Sequence, residues 1–226
     1  MERRTFLKAI GTVGFTLISA SLTPSKPFSE QKPVYGMIID LDKCIGCEAC
    51  TVACAVNKKY PLDGFNTKVN FLEVGKYPAA RQYFVPVQCN HCEEPPCMAT
   101  CDTGAITKLP NGIIFTDWQL CNGSGDCVDA CPFGMRYMTS IRGQGRKSAK
   151  CDFCFERLQQ GKEPICVATC PSRARVFGNL ARPKGEFARY LNERHLFQLS
   201  GQEGHLFYAG DSKIAHKALK QNGKRG

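Results

Sequence analysis

Apolar and polar positions alternate along this chain only in short runs. Gly36-Met37-Ile38-Ile39-Asp40 and Arg173-Ala174-Arg175-Val176-Phe177 have the composition of short strands. Ile106 to Leu109 and Ile113 to Thr116 flank Asn111-Gly112, a pair that accepts the positive φ of a tight turn, and this predicts a hairpin. Val69 to Val74 reads either as a further strand or as surface loop, because Leu62 to Arg81 is rich in Gly, Pro and Lys. Glu186 to His195 suits an amphipathic helix, and Lys213 to Gly226 is expected to be a solvated, disordered basic tail. The alternative for both is docking to a partner. The one long apolar run, Ala9 to Leu22, is broken by Gly11, Thr12, Gly14 and Thr16, which excludes a multispanning membrane protein.

Composition narrows the class. With 226 residues, 43% hydrophobic and 22% charged, the chain is long enough for one or two small soluble domains and is neither disordered nor collagenous. Its 15 cysteines are far above ordinary usage, and four groups account for all of them. Group one is Cys44, Cys47, Cys50 and Cys54, with the Cys-x2-Cys-x2-Cys-x3-Cys spacing of bacterial ferredoxins. Group two is Cys89, Cys92, Cys97 and Cys101; group four is Cys151, Cys154, Cys166 and Cys170, followed by Pro171. Group three keeps Cys121, Cys127 and Cys131 before Pro132, with Ser124 where group one has its second cysteine.

The spacing has a physical basis. Three cysteines in a short loop, with Gly46 or Gly123 supplying unusual backbone angles, wrap three corners of a cubane. A cysteine three residues further on points away and ligates the other cluster of a pair, and the following proline turns the chain back. Disulfides fit poorly, since the cysteine total is odd and repeated Cys-x2-Cys pairs suit metal better than cross-links. Zinc ribbons do not explain the unbroken run of group one. His91 is expected to support the cluster rather than ligate it, while His195, His205 and His216 lie outside any ligand spacing. Trp118, Phe153, Phe155 and Phe177 are expected to pack around clusters rather than relay electrons. The formal charge of +10 invites an acidic partner. Fifteen thiolates and four cores of +2 reduce it to about +3. No nucleic-acid motif supports a nucleic-acid partner.

Residues 1–30 read as an address: Arg3-Arg4-Thr5-Phe6-Leu7-Lys8, then a moderately apolar stretch, then Pro, Ser and Lys. The segment resembles the twin-arginine export signal, with Glu2 where Ser or Thr is usual. An amphipathic membrane anchor is the weaker alternative, and Ser19-Ala20-Ser21 is the nearest candidate cleavage site. That route carries folded, cofactor-loaded proteins, so the expected location is periplasmic or otherwise extracytoplasmic, at the cytoplasmic membrane.

From about Tyr35 to Leu180 the chain resembles the four-cluster ferredoxin-type beta subunits of the dimethyl sulfoxide reductase family. It is equally similar to exported ferredoxin subunits of formate-dependent nitrite reduction and sulfite-linked respiration. The segments that carry the resemblance are 40–47, 89–97 with its Glu93-Glu94-Pro95-Pro96, 129–132, and Lys150-Cys151-Asp152-Phe153-Cys154. The resemblance implies an α+β fold of two bacterial-ferredoxin-like lobes with short strands and helices around four iron-sulfur clusters, plus extension loops and a C-terminal helical tail. The first lobe would be discontinuous, from 33–82 and 144–182; the second, 83–143, would be inserted; 183–226 would hold a helix and the basic tail.

The family's pairing joins group one to group four and group two to group three. Cluster one then takes Cys44, Cys47, Cys50 and Cys170; cluster two, Cys151, Cys154, Cys166 and Cys54. Cluster three takes Cys89, Cys92, Cys97 and Cys131, and cluster four takes Cys121, Cys127 and Cys101 with Ser124 at the last corner. Related subunits lacking that cysteine imply three [4Fe-4S] clusters and one [3Fe-4S] cluster, the alternative being four [4Fe-4S]. No catalytic constellation is present, so the implied role is electron transfer between an integral membrane quinone-reactive subunit and an extracytoplasmic catalytic subunit. That subunit would be a molybdopterin oxidoreductase or, alternatively, a haem-based nitrite- or sulfite-linked complex. Membrane association would run through the partner.

Overall fold

The computed structural model describes residues 32–59, 64–141, 143–199 and 202–222, which belong to one compact unit beginning at Lys32. The expected signal, residues 1–30, lies outside them. Strand β1, Tyr35–Asp40, enters the core and leads through the loop of group one into helix α1, Ala49–Lys58. Strands β2, Thr67–Val74, and β3, Arg81–Gln88, form an antiparallel hairpin, so the 69–74 segment is a strand rather than loop. Helix α2, Pro96–Ala99, follows. Strands β4, Ile106–Lys108, and β5, Ile114–Thr116, then make the expected hairpin, in which Gly112 takes φ 83°. Helix α3, Asp126–Asp129, precedes a third hairpin of β6, Tyr137–Ile141, and β7, Gly145–Ala149. Helices α4, Phe155–Gln159, and α5, Ile165–Ala168, lead to β8, Arg175–Asn179.

The remainder is more ordered than its charge implied. After helix α6, Gly185–Glu193, come strands β9, Leu196–Phe197, and β10, Leu206–Ala209, and helix α7, Ser212–Asn222. Strand β10 runs parallel to β1 and completes a four-stranded sheet in the order β8-β1-β10-β9. The expectation of a disordered tail from Lys213 is therefore corrected over residues 213–222. Asp211 caps the helix by accepting hydrogen bonds from the Lys213 and Ile214 amides, and Ala215 and Ala218 are completely buried against the β2–β3 hairpin. The basic residues occupy the other face; net charge hid a short apolar stripe.

Alternation in β1 divides the core. Ile38 faces α6 with Val176, Phe187, Tyr190 and Ala209, while Met37 and Ile39 face the thiols with Phe153, Leu206 and Tyr208. Each fully buried side chain of this size contributes roughly 1.5–3 kcal/mol. The expected lobe boundaries fall within local pairings: 82/83 lies inside β3, and 143/144 lies in the β6–β7 turn.

Candidate metal centre

The four cysteine loops share one backbone feature. The residue before the second position of each Cys-x-x-Cys or Cys-x-x-Ser unit is left-handed: Gly46 at φ 70°, His91 at 48°, Gly123 at 82° and Phe153 at 51°. This conformation costs a non-glycine residue about 1–2 kcal/mol. Glycine also avoids crowding at two of the four positions: a Cβ on Gly46 would lie 2.3 Å from the Phe84 ring and one on Gly123 2.5 Å from the Arg146 carbonyl oxygen. The next left-handed residues, Glu48 and Gly125, also correspond, and each is the N-cap of the following helix. Group three thus retains the course of group one although Ser124 replaces a cysteine.

A helix begins one residue before the third ligand position of each group and carries that cysteine. Cys50, Cys97, Cys127 and Cys166 are the second residues of α1, α2, α3 and α5. Cys54 lies one turn further along α1, and Cys101, Cys131 and Cys170 lie two residues beyond the ends of α2, α3 and α5.

These elements gather the thiols into sets. Cys101, Cys121, Cys127 and Ser124 line one small cavity, together with Thr103 and Ser148. Cys54, Cys151, Cys154 and Cys166 line another beneath Met37 and Phe153. Burial pushes the Cys92 thiol up to about 11 against a hydrogen bond from Asn90, and Cys89, Cys97 and Cys131 add to the rise. Burial also raises Cys44, opposed by the Gly46 amide and Arg175, with Cys50 and Cys170 contributing. Cys47 is exposed. Burial likewise takes Cys54 up to about 12, with Cys166 and Cys154 adding to it.

Polar groups converge on the sulfurs. The Phe153 amide donates to Cys151 Sγ at 3.4 Å, Asn90 Nδ2 to Cys92 Sγ at 3.6 Å, and Cys127 Sγ lies 3.3 Å from Ser148 Oγ. His91 is completely buried, accepts the Ile114 amide at Nδ1 and leaves Nε2 unpartnered. Burial, then Lys150, His205 and Arg136, hold it neutral. His205, which the sequence spacing passed over, contacts the Tyr35 carbonyl at 2.6 Å and Glu93 Oε1 at 2.7 Å, tying the group-two loop to β1. Two buried arginines were also missed. Arg136 and Arg175 are 3% exposed and stand among the thiols without a carboxylate partner among the described residues. Burial disfavours their charge, but Cys97, Cys89 and Cys127 raise the pKa of Arg136, and Cys166 and Cys50 that of Arg175. The signal was present as a repeated Cys-Pro-x-x-x-Arg at 131–136 and 170–175.

This donor set fits iron-sulfur cores. Soft thiolates crowd together around cavities, and they need iron's positive charge to be ionised side by side. A single zinc ion draws its thiolates to about 2.3 Å from one point. Among the described residues no three His, Cys, Asp or Glu side chains are gathered to hold one metal ion.

Repeated thiolate cradles on a mixed helix-and-strand scaffold define a ferredoxin-like iron-sulfur protein. A 4Fe-4S dicluster domain matches residues 80–180, and a 4Fe-4S binding domain matches residues 35–56. A tetrathionate reductase subunit of Salmonella typhimurium is 32% identical, over 92% of this chain and 88% of its own. Thiosulfate reductase electron transfer subunit PhsB of Salmonella typhi is 38% identical, over 84% and 96% respectively. Protein NrfC of Escherichia coli is 34% identical, over 87% and 88%. The chain belongs to this family of ferredoxin-type iron-sulfur electron-transfer subunits of respiratory oxidoreductases.

Proposed function

We propose that the chain relays single electrons between an integral membrane quinone-reactive subunit and an extracytoplasmic catalytic oxidoreductase of the molybdopterin class. The observation that carries the relay is the crossed gathering of thiols: Cys54 joins Cys151, Cys154 and Cys166 around one cavity, and Cys101 joins Cys121 and Cys127 around another. Each pair of groups exchanges its fourth cysteine, as two-cluster ferredoxins do. Cluster one is assigned to Cys44, Cys47, Cys50 and Cys170, and cluster three to Cys89, Cys92, Cys97 and Cys131. These assignments make two ferredoxin-like lobes from groups one with four and two with three.

At cluster four, Ser124 meets the cavity where a fourth thiolate belongs. A hydroxyl is a harder and far less acidic ligand, which favours three [4Fe-4S] clusters and one [3Fe-4S] cluster. When bound, the clusters supply the one-electron carriers. The chain supplies burial, hydrogen bonds to sulfur and fixed charge. Substrate chemistry belongs to the catalytic partner, and the membrane is reached through the other: no helix among the described residues is long and apolar enough to cross one. Export by the twin-arginine route, which Arg3-Arg4 supports, belongs to the same proposal and would carry the chain with its clusters already inserted.

Purified protein tests the reading. It should be brown, hold about 15 iron atoms, accept electrons from dithionite and turn over no respiratory substrate. A colourless, zinc-loaded protein, or substrate turnover by the isolated chain, would overturn it.

A further inference from the structure

The two buried arginines occupy one repeated position. Cys131-Pro132-Phe133-Gly134-Met135-Arg136 and Cys170-Pro171-Ser172-Arg173-Ala174-Arg175 each place arginine five residues after the last cysteine of a group. Both segments turn through a left-handed residue at the same step, Gly134 at φ 57° and Arg173 at φ 51°, whose amides donate to the Cys131 and Cys170 carbonyls. Both then bury a small or flexible residue, Met135 or Ala174, and deliver the guanidinium inward. Arg173 adopts this conformation without glycine's freedom, so the turn recurs despite its backbone cost.

Each guanidinium interacts with thiols of two sets. Arg136 Nη1 donates to Ser148 Oγ at 2.9 Å and Thr116 Oγ1 at 3.2 Å and lies 4.0 Å from Cys127 Sγ, and its charge also interacts with the Cys97 and Cys89 thiols. Its Nε and Nη2 are buried with no partner. Arg175 is held by Gln88 and Thr67, and its charge interacts with the Cys166 and Cys50 thiols. An arginine buried without a carboxylate costs several kcal/mol unless another anion compensates it. The anions that would compensate them are the ligated clusters, whose thiolates outweigh the positive charge of their cores.

We propose that Arg136 and Arg175 are the charge-setting residues of the two cluster pairs, each placing one fixed cation between the clusters of its pair and raising the reduction potential of both. The proposal rests on the relay reading above. One-electron reduction adds negative charge without making or breaking a bond, so a nearby cation stabilises the reduced form more than the oxidised one. Arg136 acts on clusters three and four, and Arg175 on clusters one and two. Both are positioning residues: neither carries the electron.

The test is potentiometric titration of the purified, cluster-loaded protein, followed by electron paramagnetic resonance, with iron content measured in parallel. Arg136→Gln should shift the oxidised-to-reduced ratio of clusters three and four at a given potential by about tenfold, a lowering of about 59 mV for a one-electron couple. Clusters one and two should stay within a third of that shift, and Arg175→Gln should give the converse pattern. Unchanged potentials in fully loaded variants, or equal shifts in all four clusters, would overturn the proposal. If a glutamine variant loses a cluster, the lysine variant decides: Arg136→Lys should restore both loading and potential. A lysine variant that loads fully but keeps the tenfold shift would sink the charge argument. Wild-type protein without iron would remove the relay reading instead, a failure distinct from normal loading with unmoved potentials.

Discussion

The rings of His91 and Phe153 meet with centroids 3.9 Å apart and planes inclined by 34°. Each is the left-handed residue between the first two cysteines of its group, His91 between Cys89 and Cys92 and Phe153 between Cys151 and Cys154. The contact therefore joins the loop assigned to cluster three to the loop assigned to cluster two, across the junction of the two cluster pairs. Phe153 also meets the Phe177 ring edge-on at 5.5 Å, which ties this junction to β8.

Removing one ring should therefore loosen both loops together. Phe153 is fully buried, so Phe153→Ala should destabilise the protein by about 3–5 kcal/mol. The loss is read as a lower urea midpoint for bleaching of the visible absorption, with clusters two and three lost before one and four. Uniform bleaching of all four at the wild-type midpoint would show that the stack carries no such load.

Gly46→Ala and Gly123→Ala should differ in severity. Both force alanine into the left-handed region, at about 1–2 kcal/mol. At Gly46 the obstructing atoms belong to the half-buried Phe84 ring, which can swing aside; at Gly123 the obstacle is the Arg146 backbone carbonyl in the β6–β7 hairpin, which cannot. Iron analysis should find the cluster assigned to Cys121 and Cys127 depleted in Gly123→Ala, and the one assigned to Cys44 and Cys47 largely retained in Gly46→Ala.

Much of this was legible because thiol chemistry leaves fixed spacings. The cysteine groups, the need for Gly46 and Gly123, the hairpin after Cys101 and the Glu186 helix all follow from local pattern. The C-terminal strand was not legible. Leu206 to Ala209 is only four residues long, and its strand character comes from lying against β1, about 170 residues away in sequence, a pairing that local propensity does not encode. The buried arginines escaped for a related reason: a lone arginine reads as surface until the fold shows what surrounds it.

Deletion from Gln202 onward should accordingly damage the site and not merely trim a tail. The segment gives β1 its parallel neighbour, accepts the Asn90 side-chain amide at the Gln202 carbonyl, and donates the His205 amide to the Asn90 carbonyl beside Cys89 and Cys92. The truncated protein should lose cluster three and become sensitive to proteolysis; full iron content with wild-type protease resistance would contradict this.

Export tests the amino-terminal reading separately. Replacing Arg3 and Arg4 with lysine should leave brown, folded protein in the cytoplasm, because the paired arginines are the feature a twin-arginine receptor reads. Normal export of the double variant, followed by fractionation and iron assay, would exclude that route.

Ser124→Cys should convert the cavity shared by Cys101, Cys121 and Cys127 into a four-thiolate site. The backbone is already suited to it, since Gly123 and Gly125 repeat the left-handed conformations of Gly46 and Glu48, which flank Cys47. Nothing but the ligand atom should have to change. The wild-type protein should show the resonance of an oxidised three-iron cluster and about 15 iron atoms, and the variant about 16 with that resonance gone. The added thiolate also adds negative charge beside the cluster, which should lower its potential while leaving the ligands Cys101, Cys121 and Cys127 in place. About 16 iron atoms in the wild type, with no three-iron resonance, would mean that Ser124 itself completes a four-iron cluster; about 12 would mean the site is unfilled.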